Sequence, residues 1–152
     1  MKRALAAHTD VFSYSNTLPA TLGEARGKAY IFARYSSDVG IDVYWGWRDD
    51  TSFEINGIYV QDNYCVDGVE EKISDIRDTL SVAGSGNYDL VINFASCYID
   101  SGFPPTYAGT PARSINRWLL DNLGDVEGCV GVVLCDFVTE ELARSIYGRN
   151  TL

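Results

Sequence analysis

Ile58-Tyr59-Val60-Gln61-Asp62-Asn63-Tyr64 is the stretch whose reading decides the fold. Ile58 to Val60 are apolar, β-branched or aromatic, and predict a short strand. Gln-Asp-Asn then favours a turn, and the run closes on a tyrosine. Asp62 and Tyr64, two residues apart just past a strand end, can reach one small ligand together. The carboxylate accepts hydroxyl hydrogen bonds, and the ring offers a flat apolar face. The same residues also fit a plainer role in which Asp62 shapes the turn and Tyr64 covers core.

Outward from this stretch, the chain alternates strands and helices. Asp67 can cap a helix running through Leu80, with Val69, Ile73, Ile76 and Leu80 on one apolar face. Glu70, Glu71, Lys72, Asp75, Arg77 and Asp78 fill the other side, and Gly84-Ser85-Gly86-Asn87 ends the helix. Leu90 to Phe94 predicts a buried strand, followed by a loop from Ile99 to Pro111. A helix is expected from about Ala112, with Ile115, Leu119 and Leu120 inward, Trp118 near its edge and Gly124 as its stop. Gly131 to Cys135 reads as the last strand, with Asp136 just past it. Thr139, Glu140 and Glu141 open a closing helix in which Leu142, Ile146 and Tyr147 can pack.

Upstream, Ala29 to Ala33 reads as one continuous strand buried on both faces. Between Arg34 and about Asn56 lies a long irregular region. It holds Tyr44, Trp45 and Trp47, which argue against disorder and either cap the core or serve a site. Thr21 to Lys28 predicts a turn or a single helical turn, Thr9 to Pro19 a loop, and Met1 to Ala7 a frayed helical end. The sum is an α/β chain: a parallel sheet with crossover helices. Arg34, Asp62, Asn93, Ser96 and Asp136 fall at strand carboxyl ends, the edge where such sheets build sites. Four strands do not close a barrel, so the sheet is either open or half of one.

Composition excludes several function classes. A length of 152 residues, 46% of them hydrophobic and 22% charged, suits one ordered domain rather than a disordered chain. A formal charge of −9 repels phosphate backbones and disfavours nucleic acid. It also opposes tight docking on anionic membranes, although a neutral or aromatic rim can still touch lipid. No apolar run approaches the roughly 18–20 residues of a membrane span, and the first residues lack a signal-peptide core. Cys65, Cys97, Cys129 and Cys135 form no CxxC pair, and His8 is the single histidine. No zinc spacing or disulfide framework is therefore expected, and no histidine pair for acid–base work. No GxSxG, P-loop, GxGxxG or HExxH motif is present. No metal or cofactor is implied. Asp62 with Asp136, on neighbouring or next-neighbouring strands, is the remaining carboxylate pair.

Five ordered pieces carry a resemblance to a known family. Leu22-Gly23-Glu24-Ala25-Arg26-Gly27-Lys28 comes first, leading to a strand that ends in Arg34-Tyr35. Val60-Gln61-Asp62-Asn63-Tyr64 is the second, and Glu71-Lys72-Ile73 with Ile76-Arg77-Asp78-Thr79 the third. Ile92-Asn93-Phe94-Ala95-Ser96 and Gly131-Val132-Val133-Leu134-Cys135-Asp136-Phe137 complete the set. Together they resemble the second half of bacterial-type phosphatidylinositol-specific phospholipase C, a TIM-barrel-like lipid phosphodiesterase. The resemblance implies that residues 21–152 form the C-terminal half of such a barrel and that residues 1–20 are a leader or loop, a remnant of the other half. It implies that Arg34, Asp62 and Tyr64 hold an inositol ring, and that Asp136 orients a catalytic histidine acting as general base. Both catalytic histidines of the family belong to the half not matched, and His8 maps to neither. The reaction type needs no metal or other cofactor.

Inositol phospholipid or inositol phosphate is the implied ligand, with transient membrane contact. Gly102-Phe103 stands where the family would carry a rim tryptophan, leaving Trp45 and Trp47 as alternatives. The family is often secreted, which leaves the location of this chain open. Two other readings stay in view: a non-catalytic polyol-binding module and an unrelated open α/β domain. A half-barrel would expose two sheet edges, so self-association or pairing with a missing N-terminal half is expected.

Overall fold

The computed structural model describes residue 8 and residues 10–36, 38–100 and 107–150. The readings of Met1 to Ala7 and of Gly102-Phe103 lie outside them. The chain forms two compact units, Met1–Trp47 and Arg48–Leu152.

The first unit holds β1 (Phe12–Ser13), α1 (Leu22–Ala25), β2 (Ala29–Tyr30), β3 (Phe32–Ala33) and β4 (Ile41–Asp42). The single turn α1 starts at Thr21, whose hydroxyl accepts from the Glu24 amide at 3.2 Å. Glu24 reaches back to the Ala20 amide at 3.0 Å, a local variant of the capping box. The expected continuous strand over Ala29–Ala33 is instead two short strands with different partners. β2 pairs in parallel with β1, and β3 pairs in parallel with β4. The switch falls at Ile31, whose carbonyl accepts from the Ile41 amide at 2.8 Å. Gly40 makes this approach possible, because a Cβ there would lie 2.4 Å from the Ile31 oxygen.

The second unit runs through β5 (Ser52–Ile55), β6 (Ile58–Gln61), β7 (Cys65–Val66) and α2 (Val69–Ser85). It continues with β8 (Leu90–Phe94), β9 (Tyr98–Ile99), α3 (Gly109–Asn122), a 3-10 turn (Leu123–Asp125), β10 (Val132–Leu134) and α4 (Glu140–Arg149). Its main sheet has the order β10-β8-β6-β5. β6, β8 and β10 are parallel and sequential, joined by the crossovers that contain α2 and α3. The expected parallel α/β core is present. No closed barrel exists among the described residues.

One edge differs from expectation. Ser52–Ile55, read from sequence as loop, is antiparallel to β6 and forms the edge strand on that side. Asn56 and Gly57, both at positive φ, form a two-residue hairpin turn. That is the backbone a primed turn demands, and an Asn-Gly pair provides it at little cost.

Helix α2 is one turn longer than its apolar pattern, and it begins at Gly68 rather than at an Asp67 cap. Asp67 contributes its backbone amide instead, donating to the Glu71 carboxylate at 2.7 Å. The helix passes through Gly84, where the loop after the 3-10 turn presses on it: a Cβ at Gly84 would meet the Glu127 carbonyl at 2.3 Å. Gly86, at φ 69°, ends it in the left-handed conformation. Ile73, Ile76 and Leu80 from α2, Ile115 and Leu119 from α3, and Leu142 from α4 close one core with Val66, Ala95 and Val130. Burying each large aliphatic side chain contributes roughly 1.5–3 kcal/mol. Thr139 caps α4 as expected, accepting from the Leu142 amide at 3.2 Å. Tyr147, expected inside, is exposed.

Candidate functional site at the carboxyl edge of the sheet

The parallel strands bring Asp62 and Asp136 to one edge of one sheet. Gln61 lies opposite Asn93 and Leu134 opposite Phe94. Asp62 therefore stands level with Phe94 and Leu134, and Asp136 two residues beyond that row. β10 is the next-neighbouring strand to β6, so their backbones are roughly 9–10 Å apart.

Asp62 keeps only 8% of its surface exposed, and its amide donates to the Thr51 carbonyl at 3.1 Å. Tyr64 is 38% exposed, and its ring lies 6.1 Å from that of Tyr98. The two phenols form an open aromatic step beside the Asp62 turn. Loss of water around the ring, then the charges of Asp49, Asp50 and Asp62, raise the Tyr64 phenol above its ordinary value. A hydrogen bond with Cys65, then burial, pushes Tyr98 up to about 12. Both rings stay neutral at physiological pH; the Tyr64 hydroxyl can donate to a ligand hydroxyl or phosphate, while that of Tyr98 is engaged with Cys65. Sequence reasoning missed the anchor beneath them. Asp50, at φ 54°, accepts from the amides of Tyr64 and Cys65, each at 2.9 Å.

Two further residues change role. Asn93, read as a strand-end polar group, is fully buried and committed internally. It accepts from Gln61 Nε2 at 2.9 Å and donates to the Ile76 carbonyl at 3.1 Å. Lys72, read as part of the outer polar face of α2, has no exposed surface. Its Nζ donates to Gln61 Oε1 at 2.8 Å and to the Asn63 carbonyl. Lys72, Ile76 and Thr79, spaced four then three, share the inner face of α2.

Asp136 is half-buried in the turn after β10, and its backbone carbonyl accepts from Asn116 Nδ2 at 2.9 Å. Phe137 follows it at φ 52° with its ring exposed. A cleft of about 570 Å³ opens here, lined by Arg113, Asn116, Arg117, Leu120, Phe137 and Thr139. Arg34 belongs to the first unit, immediately after β3, where its guanidinium lies 4.8 Å over the Trp47 ring. Trp45 is exposed and meets Tyr44 edge-on at 4.7 Å.

The four cysteines are unbridged. Burial raises the Cys97 thiol, partly opposed by the Lys72 charge, and burial with Asp136 pushes Cys135 up to about 11. Neither is poised as a thiolate nucleophile. Among the described residues, no three His, Cys, Asp or Glu side chains gather as metal ligands would.

Comparison with solved structures places this geometry. A double mutant of the phosphatidylinositol-specific phospholipase C from Staphylococcus aureus superposes with a TM-score of 0.73 at 21% identity, covering 96% of this chain and 54% of that one. The fold is similar to about half of a bacterial phosphatidylinositol-specific phospholipase C. A second mutant of the S. aureus protein gives 0.73 at 20% identity, over 95% of this chain and 55% of that one. The Listeria monocytogenes enzyme gives 0.50 at 23%, over 66% and 36%. The family resemblance read from the sequence therefore reappears in three dimensions. The chain spans about half the length of the S. aureus structures it matches, 54% in the first case. No family model and no curated protein matches it.

Proposed function

We propose that this chain is phosphatidylinositol phospholipase C-like and carries the inositol-recognising part of such a phosphoric diester hydrolase. In this reading residues 21–152 are the C-terminal half of a TIM-like barrel, and residues 1–20 are a remnant of the other half. Asp62 accepts hydrogen bonds from inositol hydroxyls and Tyr64 covers an apolar face of the ring; Arg34, in the first unit, is proposed separately as an inositol-binding cation. Asp136 is the carboxylate that would hold an imidazole in one tautomer and stabilise its imidazolium. The histidine it would serve is not in this sequence, whose single histidine is His8. Recognition without cleavage by this chain alone is the expected behaviour.

The observation that carries the reading is the pairing of the buried Asp62 with the open Tyr64–Tyr98 step, at the carboxyl edge of a parallel sheet of this fold. Sites on parallel α/β sheets are built at that edge. Inositol phospholipid or inositol phosphate is the proposed ligand, met at a transient membrane surface to which exposed Phe137 can contribute. Calorimetry with free myo-inositol tests it. Binding should be present and weakened about tenfold or more by Asp62→Ala and by Tyr64→Ala, the equivalent of one lost charge-assisted bond or one ring contact. No binding, or binding unchanged in both variants, contradicts the reading.

A further inference from the structure

A fully buried lysine usually exists to hold something, and Lys72 touches both neighbours of Asp62. Its Nζ bonds the side-chain oxygen of Gln61 at 2.8 Å and the backbone carbonyl of Asn63. Gln61 Oε1 also accepts from the Asn63 amide at 2.8 Å, so the two ends of this short turn are tied through one oxygen. Gln61 Nε2 continues to Asn93 Oδ1 and to the Phe94 carbonyl, at 2.9 and 3.1 Å. Asn63 Nδ2 reaches Asp75 Oδ2 at 3.0 Å. The ammonium is thus the node that fastens the end of β6 to α2 and, through Gln61, to β8.

We propose that Lys72 is a positioning residue whose buried ammonium, bonded on either side of Asp62, sets the directions in which Asp62 and Tyr64 point. This rests on the reading of those two residues as an inositol site, but its physical content is separate. The Asp62 amide is tied to Thr51 and the Tyr64 and Cys65 amides to Asp50, and Lys72 adds the tie from the core side at residues 61 and 63. Two hydrogen bonds from a cation are stronger than two from a neutral amine, so loss of the proton loosens the turn. The groups facing Lys72 are Asp75 on its own helix, Asp62 past β6, Asp50 before β5 and Cys97 past β8. Burial outweighs their pull and brings the lysine down to about 8. The turn should therefore loosen as pH rises through that value.

Carbon-detected NMR of the full chain reads this directly, because carbonyl signals survive at high pH. The Asn63 carbonyl should titrate with a midpoint near pH 8 in the wild type and show no such midpoint in Lys72→Met or Lys72→Arg. Affinity for myo-inositol should fall in Lys72→Met by about tenfold, one charge-assisted bond, and be largely restored in Lys72→Arg. An Asn63 carbonyl that does not titrate, or that keeps its midpoint in Lys72→Met, overturns the proposal. Unchanged inositol affinity in Lys72→Met overturns it while leaving the site reading intact. Titration without inositol binding at any pH upholds the positioning role and sinks the site reading instead. Should Lys72→Met fail to fold, the wild-type titration and Lys72→Arg still decide.

Discussion

At the scale of single residues, Lys72 also leaves a mark on stability. Its pKa falls from 10.5 when unfolded to about 8 when folded. Between those values the unfolded chain holds a proton that the folded chain has released, so stability rises with pH across this window. Relative to Lys72→Met, wild-type stability should be level below pH 8 and then gain at most about 1.4 kcal/mol per pH unit. Urea unfolding of both proteins from pH 7 to 10 measures it, and a flat or falling difference above pH 8 contradicts the assignment. The place of Asp62 and Tyr64 just past the end of β6 was legible at this scale, because an apolar run that breaks into Gln-Asp-Asn marks a strand end. Lys72 was not, since a lysine beside Ile73 counts as polar face until the helix rotation is known. Asp50 was equally hidden: its two amide partners lie more than a dozen residues away.

At the scale of elements, the three parallel strands and their crossover helices were readable from apolar runs alone. The hairpin was readable too but went unread. Ser52-Phe53-Glu54-Ile55 alternates, Phe53 is buried, and Asn56-Gly57 stands between it and β6. The long stretch of charge and glycine before it masked four residues of strand. The break at Ile31 had no local signal, because one strand and two short ones share the same apolar run. It is set by the distant approach of Gly40. The hairpin turn gives a prediction of its own. Gly57 sits at φ 78°, and a Cβ there would lie 2.5 Å from Asp89 Oδ2. Gly57→Ala should destabilise the protein by about 1–2 kcal/mol, the cost of a left-handed backbone with a Cβ. An unchanged denaturation midpoint would show that the turn tolerates a side chain.

At the scale of the whole molecule, β5 and β10 are the two edge strands of the main sheet among the described residues. Val132 and Leu134 on β10 remain 41% and 39% exposed. An apolar edge strand is a template for pairing, so the chain should self-associate at high concentration or pair with a complementary half. Multi-angle light scattering should show oligomers that Val132→Lys reduces, whereas a monodisperse monomer at high concentration counts against an open edge. The proposed function rests at this scale on the end of β6. NMR titration of the labelled chain with free myo-inositol tests it most directly. Signals of Asp62, Asn63 and Tyr64 should move together and saturate on one curve. Saturating shifts confined to other parts of the chain, or no shifts at all, would contradict an inositol site there.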